Sequence, residues 1–506
     1  MGGFILVYGL VSFLAKEKFY LSEPLVAVCG GILFNHGAKW LRPEDYALHD
    51  ELNLEFITLS FTRLALGVQL VLAGVQLPSK YLKTEWKSLA LLLGPGMAGM
   101  WLCSSLLMWA LIPDISYLHA LAVAACITPT DPVLSNSIVK GKFADRNIPV
   151  ALQDLIIAES GANDGLGYPF LFFALYLIKY AGLGGVGQPQ TGAGHAMAYW
   201  FGETWCYVII LSVIYGTVCG YLARVLLRFA TKHQWIDHEN FLVFAIALAL
   251  FIMGTCGMVG TDDLLACFVA GNVFTWDDWF RLETEKDSFQ PTIDMLLNLA
   301  IFMWFGAVAP WYQFVHNHVI PIYRLVFLGI LILIFRRLPI VWLMSKKIWQ
   351  CHTLKHTLFM GYFGPIGVGA AFYLHVALEF LHFTTVDGHV RGDAEKLREQ
   401  LDIVVWFIIM CSIFIHGLSV PVGKAGSKVG PTIAGRAPEP IARALRSNDQ
   451  PIREEEAGYA GPDWHHSSGV GMQVPPQAVR KQATELPSSD ESETTLAKYE
   501  MARMEA

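Results

Sequence analysis

Ionisable and polar side chains interrupt an otherwise apolar stretch of the sequence, Val150–Ile178, in its middle: Glu159, Ser160, Asn163 and Asp164. The stretch exceeds the roughly 20 apolar residues that cross a bilayer. On a helix, Ser160 lies one turn before Asp164, and Glu159 has the same spacing from Asn163, so two polar stripes lie side by side. A carboxylate at bilayer depth costs about 2.5–3.5 kcal/mol. Two of them on one helix indicate a functional site rather than a soluble helix with a few satisfied polar groups.

A second group of polar atoms lies in the sequence ACITPTDP, which ends at Pro132. Pro129 and Pro132 have no N–H, which leaves the carbonyl groups four residues earlier, those of Ala125 and Thr128, without helical partners. Such backbone is tolerated at bilayer depth where it is buried or lines a cavity. Hard oxygen ligands for a small cation therefore meet at this interruption, together with the side chains of Thr128, Thr130 and Asp131.

A similar interruption, Gly364–Ala370 with the sequence GPIGVGA, lies seven predicted spans later. An odd offset means that the two interrupted helices cross the membrane in opposite directions. This arrangement is typical of an inverted repeat, in which the binding site lies near the midplane where the interruptions meet. The sequence therefore predicts two crossed, broken helices with the acidic stretch beside them.

The composition places these motifs in a polytopic membrane protein, since 54% of the 506 residues are hydrophobic and only 16% are charged. Hydropathy predicts an all-α fold of about thirteen transmembrane helices. The first span lacks a preceding basic segment, which favours a membrane helix over a cleaved signal peptide. The predicted spans lie near residues 1–15, 24–40, 54–76, 88–112, 118–138, 150–178, 202–229, 240–257, 262–276, 291–309, 319–344, 356–379 and 401–422.

Basic residues predict the orientation of these spans. With the N-terminus outside, sixteen lysines and arginines fall in inner loops and four in outer loops. The outer four are Arg42, Arg391, Lys396 and Arg398. An even number of spans would scramble this bias, so we expect an external N-terminus and a cytosolic tail. No basic domain suggests nucleic-acid binding, and the nine scattered cysteines form no disulfide or metal-site pattern.

The character of the sequence changes near residue 424. The segment 424–506 is rich in Pro, Ser, Glu and Gly and has no apolar periodicity. We therefore predict a transmembrane domain over 1–423 and a mostly disordered cytosolic tail over 424–506.

Further charged side chains lie in or near the predicted spans. For Arg336 we expect snorkelling to the cytosolic interface, whereas for Arg337 a buried partner is equally plausible, with Glu159 the obvious candidate. Asp262 and Asp263 form either an outer vestibule or an interfacial loop. His352 and His356 have the spacing of zinc ligands. Without a third ligand nearby, they are interpreted as a solvated pair.

Five segments in order along the chain together resemble one family: ITPTDPVL, AESGANDG, GTDDLLACFVAGNVFTWD, FRRLP and GYFGPIGVGA. They are similar to the fungal plasma-membrane Na+/H+ (alkali metal cation/proton) antiporters of the monovalent cation:proton antiporter superfamily. The resemblance covers residues 1–422 and excludes the tail. It implies inverted six-helix repeats, a homodimer, and a mobile core domain that moves against a dimerisation domain.

The resemblance also implies roles for individual residues. Asp164 of the Asn163-Asp164 pair is the ion- and proton-binding carboxylate, and Ser160 helps to hold the ion. Thr130 and Asp131 complete the site, and Glu159 pairs with the arginine best matched by Arg337. The chain departs from the pattern just before LPSKY, where it has Gln76 in place of an acid, which puts a cation-attracting role there in doubt.

These residues predict exchange of cytosolic Na+, Li+ or K+ for external protons by alternating access, with no cofactor. One buried carboxylate holds either a proton or a cation, since burial disfavours its bare charged form. No GxxxxGK[ST] loop points to ATP. A cation channel and a K+-selective efflux antiporter stay open as alternatives. An intramembrane aspartyl protease is disfavoured, because Gly-Asp occurs only at Gly392-Asp393. Ion preference and stoichiometry are left open.

Overall fold

Twenty-two α-helices form most of the chain that the structure, a computed structural model, describes: residues 2–13, 21–139, 148–181, 192–386 and 389–434. The first eleven are α1 (Gly2–Phe13), α2 (Glu23–Ile32), α3 (Pro43–Tyr46), α4 (Glu51–Gln76), α5 (Tyr81–Thr84), α6 (Trp86–Leu91), α7 (Met97–Leu111), α8 (Tyr117–Cys126), α9 (Pro132–Val139), α10 (Val150–Gly165) and α11 (Tyr168–Ala181). Short π-helical segments, Leu33–Gly37 and Leu92–Gly96, follow α2 and α6.

The other eleven helices are α12 (Ala193–Tyr199), α13 (Leu211–Lys232), α14 (His238–Val259), α15 (Asp263–Phe274), α16 (Trp279–Thr284), α17 (Phe289–Val308), α18 (Ile322–Phe335), α19 (Leu338–Met344), α20 (Leu354–Tyr362), α21 (Val368–His382) and α22 (Gly392–Ala434). A third π-helical segment, Trp200–Ile210, joins α12 to α13, and a short 3-10 helix, Ser345–Lys347, follows α19. A short antiparallel pair, β1 (Thr385–Val386) and β2 (His389–Val390), precedes α22.

The predicted all-α, polytopic fold is confirmed, and each of the thirteen predicted spans coincides with one helix or with consecutive helices. Within the described residues, seven helical segments are both long and apolar enough to cross a membrane. The remaining predicted spans contain shorter helices. The seven segments are Glu51–Gln76, Trp86–Leu111, Ala193–Lys232, His238–Val259, Phe289–Val308, Ile322–Lys347 and Gly392–Ser419.

Four predicted spans consist of two helices separated by non-helical backbone: α8/α9, α10/α11, α18/α19 and α20/α21. The first and last of these interruptions are the predicted ones. The other two differ from the sequence prediction, which treated those spans as continuous. Each has a proline just inside its second helix, Pro169 and Pro339, and proline frees the carbonyl four residues earlier. The Cys103 thiol contacts the carbonyl of Phe335 freed in this way, 3.2 Å away.

Side-chain caps fix where several of these helices begin. The Asp50 carboxylate accepts the Leu52 N–H at the start of α4 (3.1 Å), and the Ser116 hydroxyl accepts the His119 N–H at the start of α8 (3.2 Å). These bonds satisfy backbone donors that have no partner within the helix. At its other end, α14 stops at Gly260, whose φ of +79° suits glycine.

Small residues let α15 pack closely against its neighbours. Gly271 faces the backbone of Val71 on α4, and Gly216 on α13 faces the carbonyl of Ala266, so that an added Cβ at either glycine would overlap backbone atoms. Such close approach is how helices associate in a membrane, where apolar burial gives little drive. As a result, α15 is held deep in the molecule beside α10, with Phe268 against Gly161.

The chain divides into two units, Met1–Val429 and Gly430–Ala506. Helix α22 continues to Ala434, so residues 424–434 of the predicted tail are helical. Residues 435–506 lie outside the described residues, and the disorder predicted for them stays a prediction. Five of the inner-loop basic residues also lie outside the described residues: Lys16, Lys18, Lys140, Lys142 and Arg146.

Candidate ion-exchange site

The two predicted interruptions meet inside the protein. The backbone N–H of Asp131, between α8 and α9, donates a hydrogen bond to the carbonyl of Pro365, between α20 and α21 (3.0 Å). Both interruptions are therefore parts of one structure, as the inverted-repeat prediction requires. The crossing creates a place where the ends of four half-helices face one another.

Arg336 caps the carbonyl ends of the half-helices at this crossing. Its guanidinium is buried and donates to the carbonyls of Ile127, Thr128 (3.0 Å) and Pro129 (3.3 Å) on one side and to the Gly364 carbonyl on the other. The expectation that Arg336 snorkels to the interface is therefore wrong. The interruption between α18 and α19 turns the side chain inward, where backbone carbonyls replace water.

The freed carbonyls also differ from expectation. The Thr128 carbonyl accepts from Arg336, and the Ala125 carbonyl accepts the Thr128 N–H at 3.3 Å. Both carbonyls are thus engaged within the protein. Side-chain oxygens are the other candidate cation ligands at the crossing.

Asp131 lies at the opposite, N-terminal ends of the half-helices. Its carboxylate accepts the Leu134 N–H in the first turn of α9 at 3.0 Å, and a Cβ on Gly367, just before α21, would lie 2.5 Å from the same oxygen. Helix N-termini carry partial positive charge and their carboxyl ends partial negative charge. Asp131 and Arg336 therefore neutralise the two ends of the crossing.

Asp164 lies fully buried against the first turn of α21. A Cβ on Gly369 would overlap its carboxylate, so only glycine allows this approach. Among the described residues, no donor hydrogen-bonds to either carboxylate oxygen of Asp164. Because Gly367 and Gly369 bring Asp131 and Asp164 to the same turn, two carboxylates face one helix N-terminus. An ionised Asp164 at this position requires a positive partner.

Hydroxyl and amide groups connect the two carboxylate-bearing elements. The Asn163 amide accepts the Thr130 N–H (3.0 Å) and donates to the Thr130 hydroxyl (2.8 Å), which lies 3.1 Å from the Ser160 hydroxyl. The Ser135 hydroxyl on α9 lies 3.2 Å from that of Ser160. Sequence reasoning did not single out Ser135, although it stands one helical turn after Asp131. The network fixes α10 against the interruption.

The Thr128 side chain takes no part in the hydrogen-bond network described above. Its hydroxyl donates to the Ala124 carbonyl (2.8 Å), a hydrogen bond within the turn that ends α8. The hydroxyl oxygen retains acceptor capacity. Its ligand role stays a prediction.

The Tyr373 hydroxyl on α21 fills the interruption directly after Asp164. It donates to the Asp164 carbonyl and accepts the Gly167 N–H (3.1 Å), so it satisfies both backbone groups between α10 and α11. This arrangement ties the backbone of Asp164 to the helix whose first turn faces its carboxylate. Gly167 and Pro169 were the sequence signals that could have revealed the break.

We expect Tyr373→Phe to destabilise the protein by about 1–3 kcal/mol, because it leaves a buried carbonyl and N–H unpaired. Unfolding of the purified protein in a detergent series measures the loss. Tyr215→Phe is the control, since that hydroxyl donates to the Thr255 side chain (2.6 Å) and not to an interrupted backbone. Equal stability of the Tyr373 and Tyr215 variants would contradict the bridging role.

Glu159 and Arg337 form a bidentate ion pair. Both N–H···O distances are 2.6 Å, and both side chains are buried. The Arg337 Nε also donates to the Met360 carbonyl on α20 (2.9 Å). The pair therefore joins α10 to the residue that precedes α19 and, through Met360, to the end of α20.

Asp262 and Asp263 lie at the start of α15. Asp262 accepts the Leu265 N–H (3.0 Å) as the helix cap, and Asp263 pairs with Arg63 on α4 (2.5 Å). Both aspartates are buried, which is unlike a solvated interfacial loop. The vestibule role stays a prediction. His352 and His356 belong to no cluster of three metal-ligating side chains within the described residues.

Taken as chemistry, the crossing offers buried carboxylate and hydroxyl oxygens and no nucleophile–base pair among the contacts described above. Oxygen ligands of this kind suit hard cations such as Na+, Li+ and K+. The same carboxylates accept protons. The site is therefore suited to reversible binding of a cation or a proton.

Similarity to known proteins agrees with this chemistry. The family described as sodium/hydrogen exchanger, transmembrane, matches residues 3–422. The chain is 39% identical over 444 residues to a probable Na+/H+ antiporter of Schizosaccharomyces pombe, and the aligned region covers 85% of this chain and 56% of that protein. It is 37% identical over 437 residues to a Na+/H+ antiporter of Saccharomyces cerevisiae, with 84% and 43% covered. Another S. pombe Na+/H+ antiporter is 32% identical, with 83% and 88% covered.

Solved structures give the fold. The sodium proton antiporter MjNhaP1 of Methanocaldococcus jannaschii superposes with a TM-score of 0.57 at 15% identity, covering 82% of this chain and 97% of that one. The chain spans about half the length of the first two relatives, 56% and 43%. The match over residues 3–422 includes both interruptions and every site residue described above. The chain is thus a multi-pass membrane protein that belongs to the sodium/hydrogen exchanger family.

Proposed function

We propose that the protein exchanges cytosolic alkali cations for external protons at Asp164 by alternating access. The observation that carries this proposal is the environment of Asp164: a fully buried carboxylate at the crossing of two interrupted helices, without a hydrogen-bond donor among the described residues. The relatives named as Na+/H+ antiporters support the same reaction.

The exchange follows from the cost of an unpaired buried charge. Ionised Asp164 requires a cation, and protonated Asp164 is neutral and requires none, so the two loaded states compensate the charge in different ways. The unloaded, ionised state is the costly one. If only loaded states reorient across the membrane, each outward cation is coupled to inward proton movement.

The neighbours of Asp164 act as additional ligands or as supports in this proposal. Asp131, Ser160 and Thr130 supply oxygens to the cation, with Asn163 and Thr128 at the edge of the site. Asn163 holds Thr130 in place through its two hydrogen bonds (3.0 and 2.8 Å). Asp262 and Asp263 line the outer approach, where Arg63 pairs with Asp263.

The cellular setting belongs to the same proposal. We place the protein in the plasma membrane as a homodimer, with its N-terminus outside and the tail 424–506 in the cytosol. Na+ is the principal cation, and Li+ and K+ are further substrates. The fungal relatives and the basic inner loops support this setting.

We expect protons and cations to compete in transport by the purified full chain in proteoliposomes. Cation addition should move protons, and the Na+ concentration for half-maximal rate should rise as pH falls. The rise approaches roughly tenfold per pH unit where the site is largely protonated, because one proton excludes one cation. The measurement is a pH-sensitive dye inside the vesicles, with Li+, Na+ and K+ added separately over a range of pH.

Three outcomes of this assay would contradict the proposal. A half-maximal concentration that does not change with pH would show that proton and cation use different sites. Cation flux that never saturates and needs no counter-ion would indicate a channel. Response to K+ alone would identify a K+-selective efflux antiporter instead of a Na+ exchanger. Vesicles without protein give the background.

A further inference from the structure

A polar cavity lies away from the ion site, between the end of α19 and the start of α20. Its volume is about 430 Å³, and part of it is open to the surroundings. The segment that joins the two helices contributes much of the wall. The lining residues that matter here are Trp342, Lys346, Trp349, Cys351, His352 and Thr353.

The side chains that line the cavity favour binding of an anion. Lys346 and His352 are exposed side chains on its wall, and none of the residues that line it, all within the described part of the chain, is acidic. The carboxylate of Glu85 contacts the wall from behind, where it accepts the indole N–H of Trp349 (2.6 Å) and the amide N–H of Gln350 (2.8 Å). Glu85 therefore positions the wall. Basic pockets between membrane helices bind phosphorylated head groups.

The start of α20 adds to this preference. Thr353 caps this nine-residue helix by accepting the His356 N–H at 3.2 Å, and both Thr353 and Leu354 line the cavity. A helix N-terminus favours negative charge. The partial charge of the helix thus acts in the same direction as Lys346 and His352.

The surroundings place the cavity at the membrane–water boundary. Trp342 and Trp349 are 60% and 51% exposed, and Leu343 and Leu354 are 75% and 63% exposed. Tryptophan is typical of the level of lipid head groups. Exposed leucines beside the cavity can pack against the acyl chains of a lipid, whereas a soluble anion has no apolar part to contact them. Under the predicted orientation this is the cytosolic leaflet, which carries the anionic lipids.

We propose that this cavity binds the phosphate group of an anionic phospholipid. Lys346 and His352 contact the phosphate together with the first turn of α20, and the acyl chains lie along Leu343 and Leu354. The shared chemistry is a phosphate ester. A soluble phosphate ester would use the same cations but not the leucines.

The bound lipid would act on the helices that carry Arg337. Cys351 on the cavity wall contacts the sulfur of Met360 (3.5 Å), and the Met360 carbonyl accepts from Arg337 (2.9 Å). A head group that joins the end of α19 to the start of α20 therefore stabilises the pair of half-helices behind Glu159. An effect on exchange rests on the proposed function, whereas lipid binding does not.

Lipid binding is tested on the delipidated full chain in neutral detergent by native mass spectrometry. The probes are short-chain phosphatidylinositol 4-phosphate, phosphatidylserine and phosphatidylcholine, with inositol 1,4-bisphosphate as the soluble phosphate ester. The double variant Lys346→Gln/His352→Gln should bind the anionic lipids at least roughly fivefold more weakly, since the loss of one lysine charge near the membrane surface alone accounts for about fivefold. The matched control is Lys232→Gln/His233→Gln, the same pair of residue types, exposed at the end of α13 and absent from the cavity wall.

Each outcome decides the proposal. Selective weakening in the cavity variant, with the control unchanged, supports it, and Lys346→Glu should weaken binding further. Equal binding by both double variants, or equal affinity for phosphatidylcholine, overturns it. Binding of inositol 1,4-bisphosphate as tightly as the lipid overturns the lipid source. Because every altered residue is exposed, unchanged melting temperatures serve as the folding check. Exchange is assayed separately, so loss of lipid binding and loss of transport are distinguishable.

Discussion

Replacing Asp164 with Asn is expected to abolish cation-dependent proton movement and to leave the fold intact. The amide cannot ionise, so it neither takes up a proton nor compensates a cation, and both halves of the exchange lose their binding group. Stability should be unchanged or higher, because the variant removes a buried group that is costly to ionise. The measurement is the proteoliposome assay at several pH values, together with the melting temperature of the purified protein.

Asp402→Asn is the matched control for this experiment. Asp402 is a half-buried aspartate on α22 that lies near Glu55 and Arg398, away from the crossing. It should transport at close to the rate of the unmodified chain. Substantial cation-dependent proton movement by Asp164→Asn would show that another group carries the proton, and the site assignment would fail.

Asp131 differs from Asp164 in the hydrogen bonds of its carboxylate. One oxygen of Asp131 accepts the Leu134 N–H at the start of α9, and the residue lies at two helix N-termini. A helix N-terminus favours the ionised form of a carboxylate placed there. Asp164 has no such donor among the described residues. In the proposed mechanism, Asp131 therefore balances the charge of the helix ends, and Asp164 exchanges a proton for a cation.

The sequence was sufficient for the elements that local chemistry determines. Hydropathy predicts the spans, and Pro129, Pro132 and Pro365 mark the two interruptions because proline removes a backbone donor wherever it occurs. The odd offset between those interruptions predicts that they cross. The hydrogen bond from Asp131 to Pro365 is the contact that this prediction required.

Features that depend on contacts between residues far apart in the sequence could not be predicted from the sequence. The position of Arg336 was judged from an unbroken helix, yet its burial is offset by carbonyls of residues about 200 positions earlier, such as Ile127 and Thr128. The role of the Tyr373 hydroxyl likewise depends on two backbone groups far away in the sequence, the Asp164 carbonyl and the Gly167 N–H. No local pattern identifies which carbonyls a folded chain will bring to a guanidinium or a phenol.

The second large effect is expected on stability, from breaking the pair between Glu159 and Arg337. Glu159→Ala or Arg337→Ala leaves one buried charge without its partner, which should cost about 3–5 kcal/mol. Replacing both residues, as Glu159→Leu with Arg337→Met, should recover much of that loss, because neither charge is then buried. The measurement is the free energy of unfolding of the purified variants in a detergent series, arranged as a double-mutant cycle.

A partly exposed ion pair provides the comparison for this cycle. Arg398 and Glu55 lie 2.9 Å apart with 20% of each side chain exposed, so water compensates whichever charge remains. Glu55→Ala should therefore cost no more than about 1 kcal/mol. The exchange reaction of the Glu159 and Arg337 variants, corrected for the fraction folded, should keep its order of preference among Li+, Na+ and K+, because the pair holds α10 in place and does not contact the ion. Unfolding free energies for both single variants equal to that of Glu55→Ala would show that the pair does not stabilise the crossing.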